Sequence, residues 1–345
     1  MDALSDSFAP ERILSCLPRL EGSEVLILGD VMLDQYLLGD AGRISPEAPV
    51  PVVLIEEERF MLGGAGNVAR NVSALGGRPK LVSACGDGQH SEKFFRILSR
   101  EGIKADIITL QGRPVATKTR VMARGQQLLR IDREDCSPME EEDSRRVLEK
   151  IEASWPEQGG VLVISDYNKG VVNKTVLEGI HKIRRRYGQK KVQILVDPKT
   201  RNVPLYRRVD LLTPNTQETG EAAGLPVRSK EEIIAAGQAI FRKIRCRRLL
   251  TTLGPGGMAL FQSPQYILHL PTTAREVFDV SGAGDTVIAA LALGLASGLD
   301  MTEACIIANF AAGNVVAEVG AATTSVLKIA EAIAGVRTIP LERWL

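Results

Sequence analysis

Residues 279–298, DVSGAGDTVIAALALGLASG, place a carboxylate, Asp285, between a glycine turn and a long apolar run. Gly282, Ala283 and Gly284 let successive backbone N–H groups converge on one point without side-chain obstruction. A helix starting there adds unpaired N–H groups and a partial positive charge. Such a turn suits an anion, above all negative charge that develops during a reaction. Asp285 beside it can accept the proton of an attacking hydroxyl. An anion hole next to a base suits phosphoryl transfer from a nucleotide to an alcohol. The plainer alternative is that Asp285 caps a helix and the glycines only turn the chain.

A second constellation is MLGGAGNVARNVSALGG, residues 61–77. Gly64-x-Gly66-x-x-Ala69, with Asp87 further on, matches a dinucleotide fingerprint. That motif should follow a first strand directly, yet the charged run 56–59 stands just upstream, so the dehydrogenase reading ranks last. In the other reading Gly63, Gly64 and Asn67 open a helix whose N-terminus faces a polyhydroxylated ligand, with Asn67 both donating and accepting. A third is TPNTQE, where Asn215 and Glu218 have the spacing of a capping box. Thr216 and Gln217 lie between them. Glu218 can also stand near a hydrated Mg²⁺ that carries nucleotide phosphates. The two readings are compatible.

Elements that could position these residues alternate along the chain. EVLILGD, KLVSACGD, GVLVISD, VQILVD, DLLTPN and RLLTTLGPGG are short apolar runs with polar ends. Helical stretches such as SEKFFRILSREG and KEEIIAAGQAIFRKI lie between them. This alternation predicts an α/β fold, a mostly parallel sheet with helices on both faces. Ligands of such sheets bind outside the carboxyl ends of the strands. Those ends carry Asp30, Asp87, Asp166, Asp197, Asn215, Thr252, Gly254 and Gly257. Residues 36–64 and 112–135 break the rhythm. They read as antiparallel strands of a small separate sheet, usable as a lid or a dimer surface. The tail beyond Lys328 reads as a final helix and a short extension.

Bulk properties narrow the function. The chain has 345 residues, and its net charge of +1 provides no global field toward nucleic acid or an anionic membrane. The basic runs 181–186 (HKIRRR) and 242–248 (RKIRCRR) read as solvated helix faces. The five cysteines are scattered, without a CxxC pair, which fits a reducing cytoplasm and no zinc site. The polar N-terminus shows no signal region, and no apolar run reaches membrane-spanning length. No P-loop, HRD or DFG motif occurs. His90, His181 and His269 are isolated, without metal-ligand spacing.

Taken together, GGAGN, NTQE and DVSGAGD resemble the signatures of the ribokinase (PfkB-type) carbohydrate kinase family, in order and spacing. GDVMLDQYLLG, RISPEAPVPVV, GQQLLRID, SDYNKG, VDPK and LLTPNTQE resemble most its branch acting on a heptose 7-phosphate in lipopolysaccharide core biosynthesis. The resemblance spans about residues 24–326. It implies a ribokinase-like three-layer α/β/α sandwich with a β-sheet lid, all in one kinase domain. It implies transfer of the ATP γ-phosphoryl group to the anomeric hydroxyl of D-glycero-β-D-manno-heptose 7-phosphate. Asp285 would be the base and Gly282, Ala283 and Gly284 the anion hole. Asn215 to Glu218 would lie at the phosphates and Mg²⁺, with Thr252, Gly254, Gly257 and Asn309 bordering the nucleotide. Asp30, Asp34, Gly63, Gly64 and Asn67 would hold sugar hydroxyls. Asp279 and the segment VGAATTS would belong to a monovalent-cation (K⁺) site, and the lid would clasp into a homodimer. Many relatives carry an adenylyltransferase domain after the kinase. No HxGH motif occurs here, so a separate enzyme is expected to supply that step.

A sugar 7-phosphate also needs cations. By location the candidates are Arg43, Lys118, Arg120, Lys169 and Lys199. Lys169 and Lys199 are favoured because each follows a strand end, close to Asp166 and Asp197; Arg43 reads as a surface charge. Two alternatives stay open: another sugar, sugar-phosphate or nucleoside kinase, and a non-catalytic binding protein on a kinase fold.

Overall fold

The computed structural model describes residues 5–156, 158–188, 192–274, 280–318, 320 and 322–345. Its strands are β1 (Ser5–Phe8), β2 (Glu24–Gly29), β3 (Val31–Ile44), β4 (Pro51–Gly64), β5 (Arg78–Gly86), β6 (Lys104–Leu110), β7 (Thr117–Ala123), β8 (Gln126–Arg133), β9 (Gly160–Ser165), β10 (Val192–Asp197), β11 (Leu211–Leu212), β12 (Arg248–Thr252), β13 (Met258–Ser263), β14 (Tyr266–Leu270) and β15 (Ile339–Arg343). Its helices are α1 (Pro10–Cys16), α2 (Ala65–Ala74), α3 (Ser91–Arg100), α4 (Glu141–Ala153), α5 (Lys174–Tyr187), α6 (Thr216–Ala223), α7 (Lys230–Ile244), α8 (Ala283–Ala296), α9 (Met301–Val315) and α10 (Val326–Ala334).

The large sheet has eleven strands in the order β1-β15-β14-β13-β12-β11-β10-β9-β2-β5-β6. From β12 to β6 every neighbouring pair is parallel. From β12 to β1 every pair is antiparallel. Side chains alternate between two cores. Val25 and Ile27 of β2 enter one, Leu26 and Leu28 the other. Val161 and Val163 of β9 separate from Leu162 and Ile164 in the same way. Both faces are buried, which is why the sequence shows continuous apolar runs rather than apolar–polar alternation. Helices α1, α2, α3, α8, α9 and α10 cover one face; α4, α5, α6 and α7 cover the other. Helix α8 packs against both the sheet and α9. Asp285 to Leu295 is buried throughout, so a helix without a polar face is stable there.

The small sheet has the order β4-β3-β7-β8. It begins at Val31, one residue after β2 and its following Asp30, earlier than the sequence suggested. Its hairpins β3–β4 and β7–β8 are antiparallel as expected, but β3 and β7 pair parallel. The reason is that both hairpins leave C-terminal ends of parallel strands, β2 and β6, and so start in the same direction. The chain beyond α10 is the strand β15, paired with β14 and β1. Among the described residues, no helix is long and apolar enough to cross a membrane.

Candidate active site

Asp285 is the third residue of α8, and the helix N-cap is Gly282 at φ +79°. That left-handed conformation favours glycine. The carboxyl group is 2% exposed. Its Oδ1 accepts a hydrogen bond from the Tyr167 hydroxyl at 2.9 Å, and its Oδ2 one from Asn67 Nδ2 at 2.8 Å. Burial pushes its pKa up to about 6, against the pull of those two hydrogen bonds. A group so tuned is ionised at neutral pH yet holds a proton far better than a surface carboxylate, as a general base should.

Asn67 comes from the other glycine signature, at the start of α2. Gly64 turns the chain into that helix at φ +59°, and a Cβ there would lie 2.3 Å from the Asp30 carbonyl oxygen. Only glycine fits. Asn71 Nδ2 donates to the Asn67 carbonyl at 2.9 Å, and Thr286 Oγ1 donates to Asn71 Oδ1 at 2.9 Å. The starts of α2 and α8 are thus tied by two polar contacts, Asn67–Asp285 and Asn71–Thr286.

Asp30 and Asp166, both expected at the substrate, accept hydrogen bonds from the chain itself. Asp30 is fully buried and accepts from the backbone N–H groups of Tyr167 (2.8 Å), Lys169 (3.0 Å) and Val171 (2.9 Å). Asp166 accepts from the Tyr206 hydroxyl, from Asn202 Nδ2 at 2.7 Å and from its own loop at Asn168 N, 2.6 Å. Burial and the charge of Asp166 push Asp30 up to about 6; burial also raises Asp166. With their oxygens so engaged, the pair fixes the SDYNKG loop and thereby aims Tyr167 at Asp285. Tyr167 itself is missing from the sequence reading. Its one signal is its place directly after the polar end of β9.

Asp34, Lys118 and Arg120 meet on the small sheet. Asp34 stands opposite Lys118 in the β3–β7 register. Arg120 Nη1 donates to Asp34 Oδ1 at 2.5 Å. Gly63 keeps this place open, since a Cβ there would lie 2.3 Å from Asp34 Oδ2. Lys118 is half-buried with its Nζ 5.2 Å from the Tyr167 ring centroid. Burial holds its ammonium below the usual range; Asp34 opposes that, and Lys169 and Arg130 add to it. Lys169 pairs with Glu134, and Arg130 with Asp132 at 2.8 Å. Among the described residues Lys118 has no carboxylate within ion-pair distance. Lys199, favoured with Lys169, belongs elsewhere: it pairs with Glu218 across the nucleotide side of the site. Arg43 is exposed.

A cavity of about 660 Å³ opens at the C-terminal ends of β10 and β12. Its lining includes Asn215, Thr216, Gln217, Glu218, Thr252, Gly254, Gly257 and Asn309, together with Gly282, Ala283 and Gly284. Tyr167, Asp197 and Lys199 line it too. The capping box forms: Asn215 Oδ1 accepts from Glu218 N at 2.8 Å, and Glu218 Oε2 accepts from Asn215 N at 3.1 Å. Asn309 Nδ2 donates to the Pro271 carbonyl at 2.7 Å. Asp197 is pushed well up by burial, then by the charges of Asp285 and Glu218. Among the described residues no group of three His, Cys, Asp or Glu side chains is placed to hold a metal ion by itself. Asp279, and residues 319 and 321 of VGAATTS, lie outside the described residues.

Comparisons agree with this arrangement. The model of the "pfkB family carbohydrate kinase" matches residues 23–328. "Bifunctional protein HldE" of Paramagnetospirillum magneticum is 45% identical over 305 residues, 88% of this chain and 62% of that protein. Its namesake from Vibrio parahaemolyticus is 41% identical over 319 residues, 92% of this chain and 65% of that protein. The chain thus spans less than two thirds of these relatives' length. Phosphofructokinase-2 from Escherichia coli, in complex with potassium, superposes with a TM-score of 0.74 at 20% identity, covering 90% of this chain and 98% of that one. Arabidopsis thaliana ribokinase complexed with ribose and ATP gives 0.69 at 18%, covering 90% and 99%. These two likenesses show the ribokinase-like fold. The match over nearly the whole described sheet system, with both glycine turns meeting at Asp285, places the chain in the pfkB family of carbohydrate kinases.

Proposed function

We propose that the chain transfers the γ-phosphoryl group of ATP to the anomeric hydroxyl of a heptose 7-phosphate, D-glycero-β-D-manno-heptose 7-phosphate in the cytoplasmic route to ADP-heptose. One observation carries the sugar-phosphate part. Lys118 lies half-buried opposite Asp34 and beside Tyr167, is disfavoured as a cation by burial and further by Lys169 and Arg130, and among the described residues has no carboxylate within ion-pair distance. An anionic substrate would supply the counter-charge that this ammonium lacks. The heptose itself rests on the sequence resemblance and the HldE relatives.

In this reading the sugar hydroxyl lies against Asp285, which takes its proton as the oxygen attacks. The new bond forms between that oxygen and the γ-phosphorus, while the bond to the β,γ-bridging oxygen breaks and its electrons leave with ADP. The N–H groups of Gly282 and Gly284 face the charge on the transferring group, whereas the Ala283 N–H, expected to join them, donates to the Val280 carbonyl at 3.2 Å. Asn67 and Tyr167 hold Asp285 in place. A bound Mg²⁺, near Glu218 and Asp197, would neutralise charge on the β- and γ-phosphates. The small sheet acts as a lid over Asp34 and Lys118, within a single kinase domain. Its face opposite Asp34 and Lys118 exposes Ile55 (42%), Leu129 (48%) and Ile131 (52%). Such apolar area fits a second copy of the chain.

The test is ADP release with ATP and Mg²⁺, comparing the heptose 7-phosphate with its unphosphorylated sugar, fructose 6-phosphate and ribose. Preference for the heptose 7-phosphate by a hundredfold or so in kcat/KM supports the reading. Equal or better turnover of a neutral sugar removes the substrate while leaving the kinase.

A further inference from the structure

The two basic runs do not stay apart as separate solvated faces. A groove of about 830 Å³ lies between α5, the turn before β11 and the turn before β12. Arg184 and Arg185 come from the first run, Arg245 and Arg247 from the second, and Arg207 and Arg208 from between. These turns precede the parallel strands, so the groove lies at the opposite strand ends from Asp285.

Its lining holds eight Lys or Arg side chains against two carboxylates, Glu178 and Asp210. The whole chain carries only +1, so the excess is local. Asp210 is already neutralised, because Arg184 Nη2 lies 2.6 Å from Oδ2 and Arg247 Nη1 lies 3.2 Å from Oδ1. Arg184 and Asp210 are buried and form a fixed floor. Among the described residues Arg185, Arg207 and Arg245 have no carboxylate within ion-pair distance, and all three are exposed. Backbone hydrogen bonds lock the two turns together: Arg208 N donates to the Ile244 carbonyl at 3.3 Å, and Arg247 N to the Val209 carbonyl at 3.0 Å. The field is felt inside, since burial and then Arg184 and Arg185 hold the His181 imidazole below its ordinary range.

We propose that this groove is a second anion site, for a small molecule carrying two or more phosphate groups. Unpaired guanidinium groups on three rigid elements offer several planar forks to phosphate oxygens. The volume is that of a small-molecule pocket and exceeds what one phosphate fills. A confined concave patch on a nearly neutral chain favours a compact ligand over the extended backbone of a nucleic acid.

The probe is inorganic tripolyphosphate, titrated calorimetrically into the full chain with the nucleotide cavity saturated by ADP. Binding of one equivalent is expected, weakening as salt is raised. The combined variant Arg185→Gln, Arg207→Gln, Arg245→Gln should weaken it more than about tenfold. Thermal unfolding of that variant checks that it folds, and Lys182→Gln with Arg185→Gln is a milder second version. A variant Lys199→Gln should bind the probe as the parent does. The proposal fails if the folded groove variants bind unchanged, if ADP abolishes binding, or if the groove takes a single-stranded oligonucleotide but not tripolyphosphate.

Discussion

The Asn67 amide and the Asp285 carboxylate, 218 positions apart, meet at 2.8 Å. Each belongs to a glycine turn that opens a helix, and their hydrogen bond joins the two turns. Among the described residues the carboxylate receives this donor and the Tyr167 hydroxyl. Its position therefore depends on three elements at once: α2, α8 and the loop after β9. Asp285→Asn is expected to lower kcat by about a hundredfold to ten-thousandfold. ATP affinity should persist, because Asp285 does not line the 660 Å³ cavity. Steady-state turnover beside calorimetric nucleotide binding checks both halves; retained turnover removes the assignment of the base.

The pH profile follows from the same environment. Asp285 must be ionised to accept a proton, and its pKa stands at about 6. Activity should therefore fall below about pH 6 and level off above it. The Tyr167 and Asn67 hydrogen bonds favour the ionised form. Tyr167→Phe and Asn67→Ala should each move the acidic limb to higher pH. A pH–rate series on the three proteins tests this, and a limb that stays in place would show that another group sets it.

The two glycine turns and the capping box were legible in sequence because each makes a backbone demand that few residues meet. Gly64 must adopt a left-handed conformation against the Asp30 carbonyl, and Asn215 and Glu218 must stand three apart to cap one another. The strand ends were legible too, since sheets buried on both faces need continuous apolar runs. The loop contacts of Asp30 and Asp166 were not. A carboxylate after a strand looks the same whether it meets a sugar hydroxyl or three loop amides, and only the path of the SDYNKG loop decides. The parallel pairing of β3 with β7 was hidden for a similar reason: it depends on where both hairpins leave the large sheet. Lys118 drew no preference over Lys169 and Lys199, because whether a cation is already neutralised by Glu134 or Glu218 is a matter of tertiary contact.

That difference separates the cations by experiment. Lys118→Met removes the ammonium that, among the described residues, lacks a carboxylate partner. A charge-assisted hydrogen bond contributes about 1.5–3 kcal/mol, so KM for the sugar phosphate should rise about tenfold to a hundredfold. KM for ATP should change little. Lys169→Met should cost less, because Glu134 already holds that ammonium. Measuring both KM values for each variant decides it; a larger sugar effect at Lys169 would overturn the ranking.

The small sheet carries a prediction about assembly. Leu129 and Ile131 are two apart on β8 and share a face, both about half exposed. Charges there oppose burial against a second copy. The double variant Leu129→Glu, Ile131→Glu should run as a monomer in light scattering while the parent runs as a dimer. A parent that is monomeric at micromolar concentration would remove the lid clasp.

Stability should depend on pH with an unusual sign. Asp285 has a folded pKa of about 6 against an ordinary value of 3.8. Between these values the folded chain keeps a proton that the unfolded chain has released, so stability falls as pH rises. The contribution is fully present below about pH 4 and lost above about pH 6. Asp30, raised to about 6 by burial and Asp166, acts in the same direction. Replacing Asp285 by Asn removes one of these titrations. The stability of Asp285→Asn relative to the parent should therefore shift in favour of the variant by up to about 3 kcal/mol as pH rises from 4 to 7. Urea unfolding of both proteins at several pH values measures this difference directly. A difference that stays constant with pH would mean that the Asp285 carboxyl titrates alike in the folded and unfolded chain, and the argument for its tuning as a base would go with it.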